Sequence, residues 1–276
     1  MMPPLPSPER LERIEAITFA DEFAAAPPHV AQAAGLGFEW IGDTLVTWAP
    51  QIDLLMFNRA LHIGQSAPAS EAELTAIASR YDARGVARSF LQVAPGAMPA
   101  ELPDWLAPHG WVPHNRWAKF SRPLSSLPPL SAGVRVNAIG PDRADEFGHV
   151  LVEAFKLPPP MRAWEAALVG RPRWRHYLAS LDGSPVGCAA LFAHDGLASF
   201  GQAGTLEHAR GRGVQGALIL QRLHDAAAMG CTHAVVETAE DRPDKPAPSY
   251  RNQLRHGFTL CYMRQNYLRL RRPPAA

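Results

Sequence analysis

The sequence predicts an α/β protein with a mixed sheet, organised as two domains of related order. Three observations carry this. Strand-like and helix-like segments alternate after residue 133. A Pro/Ser-rich stretch from Arg122 to Gly133 interrupts the hydrophobic period between two parts that are each long enough to fold. The order helix, glycine stop, strand, Gly-closed segment, strand occurs once on either side of that stretch. The expected divisions are a domain over 1–122, a linker over 123–133, a domain over 134–270 and a tail over 271–276.

In the first part, helical spacing runs from Glu71 to Ala83 with Gly85 as its stop, followed by a strand from Ser89 to Val93. Trp105 to Trp111 then precedes a strand that reaches Arg122. The second part opens with a strand from Val134 to Ile139 and a helix from Pro141 to Phe155, started by Pro141-Asp142. A Pro-rich bend from Leu157 to Pro160 and an aromatic segment come next. Asp182-Gly183-Ser184 reads as the turn between strands His176 to Leu181 and Pro185 to Ala193. His194-Asp195-Gly196 leads into a strand from Leu197 to Thr205. A helix from Val214 to Met229 ends at Gly230, and a strand from His233 to Thr238 follows. Ser249 to His256 is a short helix stopped by Gly257, and Phe258 to Leu270 is the last strand.

Composition narrows the function class. At 276 residues and 47% hydrophobic content, a sizeable core can be buried. A net charge of +1 gives no reason to expect a nucleic-acid partner or an anionic membrane surface. No apolar run approaches a membrane span, and Met1-Met2-Pro3-Pro4 does not read as a signal peptide. Cys188, Cys231 and Cys261 are odd in number and lack a C-x-x-C spacing, which points to a reducing cytoplasm. The eleven histidines show no metal spacing, so no metal is expected.

The most telling segment is Ala209-Arg210-Gly211-Arg212-Gly213-Val214-Gln215-Gly216-Ala217, a flexible turn that passes straight into an apolar-periodic helix. Glycines let the backbone approach a ligand, and unpaired N–H groups at a helix start favour an anion. Arg210 and Arg212 add fork-shaped donors suited to phosphate. This reads as a pyrophosphate cradle, set against the plainer alternative of a solvated Gly-rich loop. No Lys-Ser/Thr pair follows the last glycine, so it is not a P-loop. Gly211, Gly213 and Gly216 match G-x-G-x-x-G literally but lack the βαβ context and second-strand acid of a nicotinamide site.

On these residues the second part resembles the GNAT superfamily of acyl-CoA-dependent N-acetyltransferases. Arg210-Gly211-Arg212-Gly213-Val214-Gln215 is similar to that family's [Q/R]-x-x-G-x-[G/A] motif, with Gln215 where Gly or Ala is commonest. Ser249 to Phe258, an Asn-bearing helix closed by Gly257-Phe258, resembles its late motif. The resemblance spans roughly Val134 to Leu270, and the first part looks like a degenerate copy of the same fold without a cradle. It implies two tandem GNAT-like acyl-CoA N-acyltransferase domains, the second one complete. It also implies acetyl-CoA as co-substrate, with the pantetheine arm along Gln202, Ala203, Gly204, Thr205 and Leu206. The diphosphate would lie on amides from Gly211 to Ala217, and Asn252 would bond the cofactor. Small Ala203 and Gly204 would equally suit tight sheet packing. Seven Lys/Arg and no acid from Lys245 onward would suit CoA's additional phosphate or form a solvated tail.

Acyl transfer to an amine needs a base, an oxyanion partner and a proton for the departing thiolate. Glu237, within an apolar strand, is the candidate base, with a salt-bridged carboxylate as the alternative. Tyr250 and Tyr262 are the candidate proton donors. The family's tyrosine usually stands four residues before the glycine of Gly-Phe, and Gln253 occupies that place here. Phe155, Trp164 and Trp174 flank the Pro-rich bend where the family builds its acceptor wall, although aromatics there also serve cores. The resulting expectation is direct transfer of an acetyl group to a primary amine of a small molecule or peptide. A non-catalytic acyl-CoA sensor or scaffold is the alternative, aminoacyl transfer from charged tRNA is a third reading that the charge disfavours, and an oligomer is compatible with either of the first two.

Overall fold

A computed structural model describes residues 4–130 and 133–271. In chain order the elements are α1 (Pro8–Ala24), α2 (Pro28–Ala34), β1 (Gly37–Ile41), β2 (Thr44–Trp48), β3 (Arg59–Leu61), α3 (Glu71–Ala83), β4 (Arg88–Val93), α4 (Leu102–Leu106) and β5 (Val112–Pro123). There follow β6 (Arg135–Ile139), α5 (Ala144–Phe155), α6 (Met161–Ala166), β7 (Trp174–Leu181), β8 (Ser184–His194), β9 (Leu197–Thr205), α7 (Val214–Ala228), β10 (His233–Ala239), α8 (Pro248–Arg255) and β11 (Thr259–Leu270). The chain forms two compact units. One contains Lys119–Cys261; the other contains Ser7–Ala24, Ala31–Ala118 and the chain from Tyr262 on. The units therefore change within strands β5 and β11, rather than in the Pro/Ser-rich stretch.

In the unit built mainly from the first part, β1 and β2 form an antiparallel hairpin, β2 pairs β3, and β3 runs parallel to β4. The residues of β11 from Gln265 to Leu270 lie antiparallel to β4. The core gathers Leu74, Ile77, Tyr81, Leu91 and Trp111. Helix α1 escaped the sequence reading because its buried face carries Glu12, Glu15 and Glu22 beside Leu11, Ile14 and Phe23, which blurs the apolar period. The acids are held by arginines. Arg264 bonds Glu12 at 2.7 Å and Glu15 at 2.6 Å, and Arg59 reaches Glu15 at 3.1 Å. Strand β3 is followed by His62 at φ 74° and a loop whose main chain is closed off. Met98 N donates to Gly64 O at 2.7 Å and Met98 O accepts from Ala69 N at 2.8 Å. Helix α3 caps itself, because the Ser70 hydroxyl accepts from Glu73 N.

In the other unit, β6, β7, β8 and β9 are joined antiparallel and β9 runs parallel to β10. The expected helix from Pro141 begins as a 3-10 turn over Pro141–Arg143 and becomes α-helical only at Ala144. The expected hairpin turn is formed with Leu181 opposite Ser184. Helix α5 packs on β8 and β9, and α7 packs on the same two strands. Gly187 admits α7, since a Cβ there would stand 2.5 Å from Val214 Cγ1.

Candidate functional site

Two features of β9 shape the site. Its register against β8 pairs Cys188 with Gly204 and Ala190 with Gly201, so Gln202 and Ala203 together face Ala189 alone. This is a β-bulge, with Gln202 in the left-handed region at φ 49°. Beyond the bulge the parallel partner departs. Pairing with β10 ends at Phe200 opposite Val236, while β9 continues to Thr205 and β10 to Ala239. The two strands fork, and the β9 edge over Gly201–Thr205 has no β10 residue against it. Leu206 lies outside this edge, because its N–H is donated to Val186 O at 2.8 Å.

A short 3-10 turn over Glu207–Ala209 leads from the end of β9 to the glycine-arginine turn. Gly211 and Gly213 take φ 77° and 80°, a conformation in which a side chain is strained. Gly213 caps α7 without a side-chain bond. The contrast with Ser70 on α3 is chemical: a hydroxyl satisfies one helix start, while the other is left to an incoming acceptor. Val214, Gln215 and Gly216 supply the first-turn amides. Ala217 does not, since its N–H is donated to Gly213 O at 3.0 Å. Arg210 and Arg212 are exposed, and Arg212 faces Asp182 at 3.4 Å. A groove of about 920 Å³ opens beside Arg212, lined also by Arg135, Arg143, Asp182 and Gln221.

Helix α8 closes the turn from another side. Asn252 Nδ2 donates to Gln215 Oε1, so the residue that departs from the family motif ties α7 to α8. His256 sits against the helix start, with Nε2 3.0 Å from where a Gly216 Cβ would be. Its Nδ1 lies 2.8 Å from Asn252 O. The sequence reading did not single out His256.

Glu237 lies on β10 just past the last residue paired with β9. Its Oε2 is 3.7 Å from Lys119 Nζ, and both side chains are largely buried. Lys119 comes from the first part of the sequence and was missed; its signal is a charge inside the apolar run Trp117-Ala118-Lys119-Phe120. Tyr250 packs edge-on against Phe120, ring centroids 4.9 Å apart. Tyr262 is in the unit that has no cradle, and its hydroxyl donates to Glu12 Oε1 at 2.7 Å. Burial and then the Glu12 carboxylate push this phenol far up, which removes it from the set of proton donors.

Of the aromatic wall, Phe155 alone reaches solvent, at 52% exposure, while Trp164 and Trp174 are buried. Trp174 stacks on His176 and packs on Phe192, and so belongs to the core. Gly204 owes its size to packing, since a Cβ would meet Ala154 Cβ at 2.8 Å and Phe155 Cε2 at 3.1 Å. The basic bias from Lys245 on is partly consumed internally: Arg251 pairs Asp241, Arg264 pairs Glu12 and Glu15, and Arg269 pairs Asp82. Arg272 lies outside the described residues. Among the described residues no three His, Cys, Asp or Glu gather as a metal site, and no helix is long and apolar enough to cross a membrane.

Residues 142–251 match the model of the acetyltransferase (GNAT) family. No curated protein matches the chain. Among solved structures, a GCN5-related N-acetyltransferase from Kribbella flavida is similar at TM-score 0.63 and 20% identity, covering 96% of each chain. A GCN5-related N-acetyltransferase from Sphaerobacter thermophilus is similar at TM-score 0.60 and 15% identity, over 100% of this chain and 98% of that one. A tandem GNAT protein from the clavulanic acid biosynthesis pathway is similar at TM-score 0.58 and 15% identity, over 99% of both. At these identities the likeness is one of fold.

Proposed function

We propose that this chain, whose residues 142–251 match the acetyltransferase (GNAT) family model, transfers an acetyl group from acetyl-CoA to a primary amine of a small molecule or peptide. One observation carries the reading: the forked edge of β9 leads, through a 3-10 turn and the glycine-arginine turn, to a helix start that no side chain caps. The edge suits the amide-bearing pantetheine arm, and the N–H groups of Val214, Gln215 and Gly216 suit a diphosphate. No metal is required.

The reaction is direct attack within a ternary complex. Glu237, through water, takes a proton from the acceptor ammonium, and the neutral amine attacks the thioester carbonyl. The C–S bond breaks as the amide forms; the nitrogen gives up its second proton to water, and the thiolate takes one from Tyr250 or from solvent. Exposed Phe155 stands at the acceptor side of Gly204. We read the other unit as a degenerate second copy. His62 after β3 and Gln202 in β9 both take the left-handed region, and each of these strands runs parallel to the strand that follows it. Met98 and Ser70 there satisfy the groups that a thioester carrier would need. A cytoplasmic location fits the three free thiols.

A second reading, an acyl-CoA sensor or scaffold, is favoured by buried Gln253 at the place of the family's tyrosine. Calorimetry with CoA and a CoA-release assay across amines separate the two. Binding with turnover that Glu237→Gln abolishes supports the enzyme. Binding without turnover over a broad amine panel supports the sensor, and no binding of CoA refutes both.

A further inference from the structure

Arg222 lies beneath α7 at 2% exposure. Its Nε donates to Leu218 O at 3.1 Å, and its Nη1 to Ala190 O at 3.1 Å and Gly201 O at 3.4 Å. The guanidinium stands 4.4 Å over the Phe200 ring. Its hydrogen bonds run to main-chain carbonyls and to no carboxylate, and burial pushes it down to about 10. A cation buried in this way pays heavily in lost hydration, and an apolar side chain of similar length would pack as well. Stability alone therefore does not account for it.

Two of the carbonyls it holds, Ala190 O on β8 and Gly201 O on β9, flank the bulge. From the α6 side, Gln202 Nε2 donates to the 2%-exposed Glu165 at 2.6 Å. The Cys188 thiol points at Gln202 O from 3.7 Å. The bulge decides which way the main chain of β9 presents its donors. Were Gln202 to leave the left-handed region and the extra residue be absorbed, the register would slip by one. The N–H groups from Ala203 to Thr205 alternate between the open edge and the β8 side, and each would then change sides.

We propose that Arg222 and Glu165 are positioning residues of the acyl-transfer step, clamping the bulge so that the forked edge of β9 offers its amides to the thioester arm in one fixed sense. This rests on the acetyl-CoA reading above. The diphosphate cradle is a separate structure, so loss of the clamp acts on turnover more than on cofactor capture.

The test uses the full chain with Arg222→Met, Arg222→Lys and Glu165→Gln, measuring CoA affinity by calorimetry, steady-state kinetics and melting temperature. The expected result is a fall in kcat of about 10²-fold for Arg222→Met and Glu165→Gln, as for a misplaced reacting group, with CoA affinity near wild type. Arg222→Lys should recover part of it. An unchanged kcat in a folded variant overturns the proposal, as does a kcat that falls only in step with CoA affinity. If Arg222→Met does not fold, the isosteric Glu165→Gln decides alone. If the wild type releases no CoA with any amine, the enzyme reading is what fails. The clamp is then judged by amide exchange at Ala203 to Thr205: faster exchange in Glu165→Gln supports it, and unchanged exchange overturns it.

Discussion

Lys119 Nζ stands 3.7 Å from Glu237 Oε2, although 117 residues and a Pro/Ser-rich stretch separate the two in sequence. The side chains are 6% and 18% exposed, so their attraction is only partly screened. The ammonium therefore attracts the Glu237 carboxylate just past the last residue of β10 paired with β9. Replacing Lys119 by Met removes the opposite charge, so the carboxylate becomes harder to ionise and its base form is reached at higher pH. The acid limb of the kcat/KM profile should move upward in pH while Lys119→Arg keeps it in place. An unmoved limb in Lys119→Met would separate Glu237 from the proton transfer. Losing the ammonium should also lower stability, by up to about 3 kcal/mol, because the pair is largely buried.

Gly213 is the position at which backbone strain and ligand contact coincide. Its φ of 80° strains any side chain, and a Cβ there meets nothing within 4 Å, so it projects into open space before the amides. Gly213→Val should lower stability by about 1–2 kcal/mol through the left-handed backbone. It should weaken CoA binding at least tenfold by occupying the anion's place. Calorimetry on a variant shown folded by its melting curve reads both; unchanged CoA affinity would move the diphosphate elsewhere.

His176 provides a pH test of the fold around the bulge. It is 1% exposed between Phe147 and Trp174, and burial pushes it down to about 4. The unfolded chain takes up this proton near pH 6.5, and the folded chain only near 4. Stability is therefore full above pH 6.5 and falls as the pH drops toward 4, by about 2 kcal/mol between pH 7 and 5. Urea melts of wild type and His176→Phe at the two pH values check this. Equal pH dependence in both proteins would mean that His176 is not buried neutral.

The last strand is structural despite its terminal position. Arg264 is 0% exposed and holds Glu12 and Glu15, while Tyr262 donates to Glu12. Arg264→Met would leave neighbouring carboxylates without that cation, costing about 3–5 kcal/mol. Deleting the chain from Tyr262 also removes the partner of β4. The loss should appear as a lowered or absent melting transition even though the cradle residues are untouched. A truncated chain that melts like wild type would refute this.

What was legible in the sequence was local. The turn at Asp182-Gly183, the stops at Gly85 and Gly230, and the passage from a small-residue strand through Gly211 and Gly213 into α7 each depend on neighbours along the chain. Arg222 was also within reach, one turn beyond Leu218 on the apolar face of α7. The α1 acids were not legible as a buried face, because nothing nearby in sequence announces Arg59 or Arg264.

The sequence by itself determined the order of most elements after residue 133 and the helix start that can hold an anion, since helix capping and turn chemistry are settled within a few residues. Only the tertiary structure decided which ionisable groups serve the fork and which serve the core. Tyr262 went to Glu12, Trp174 to His176, and Lys119 to Glu237. Those assignments hang on pairings between distant strands and helices, where a buried charge takes whichever partner the fold brings within reach.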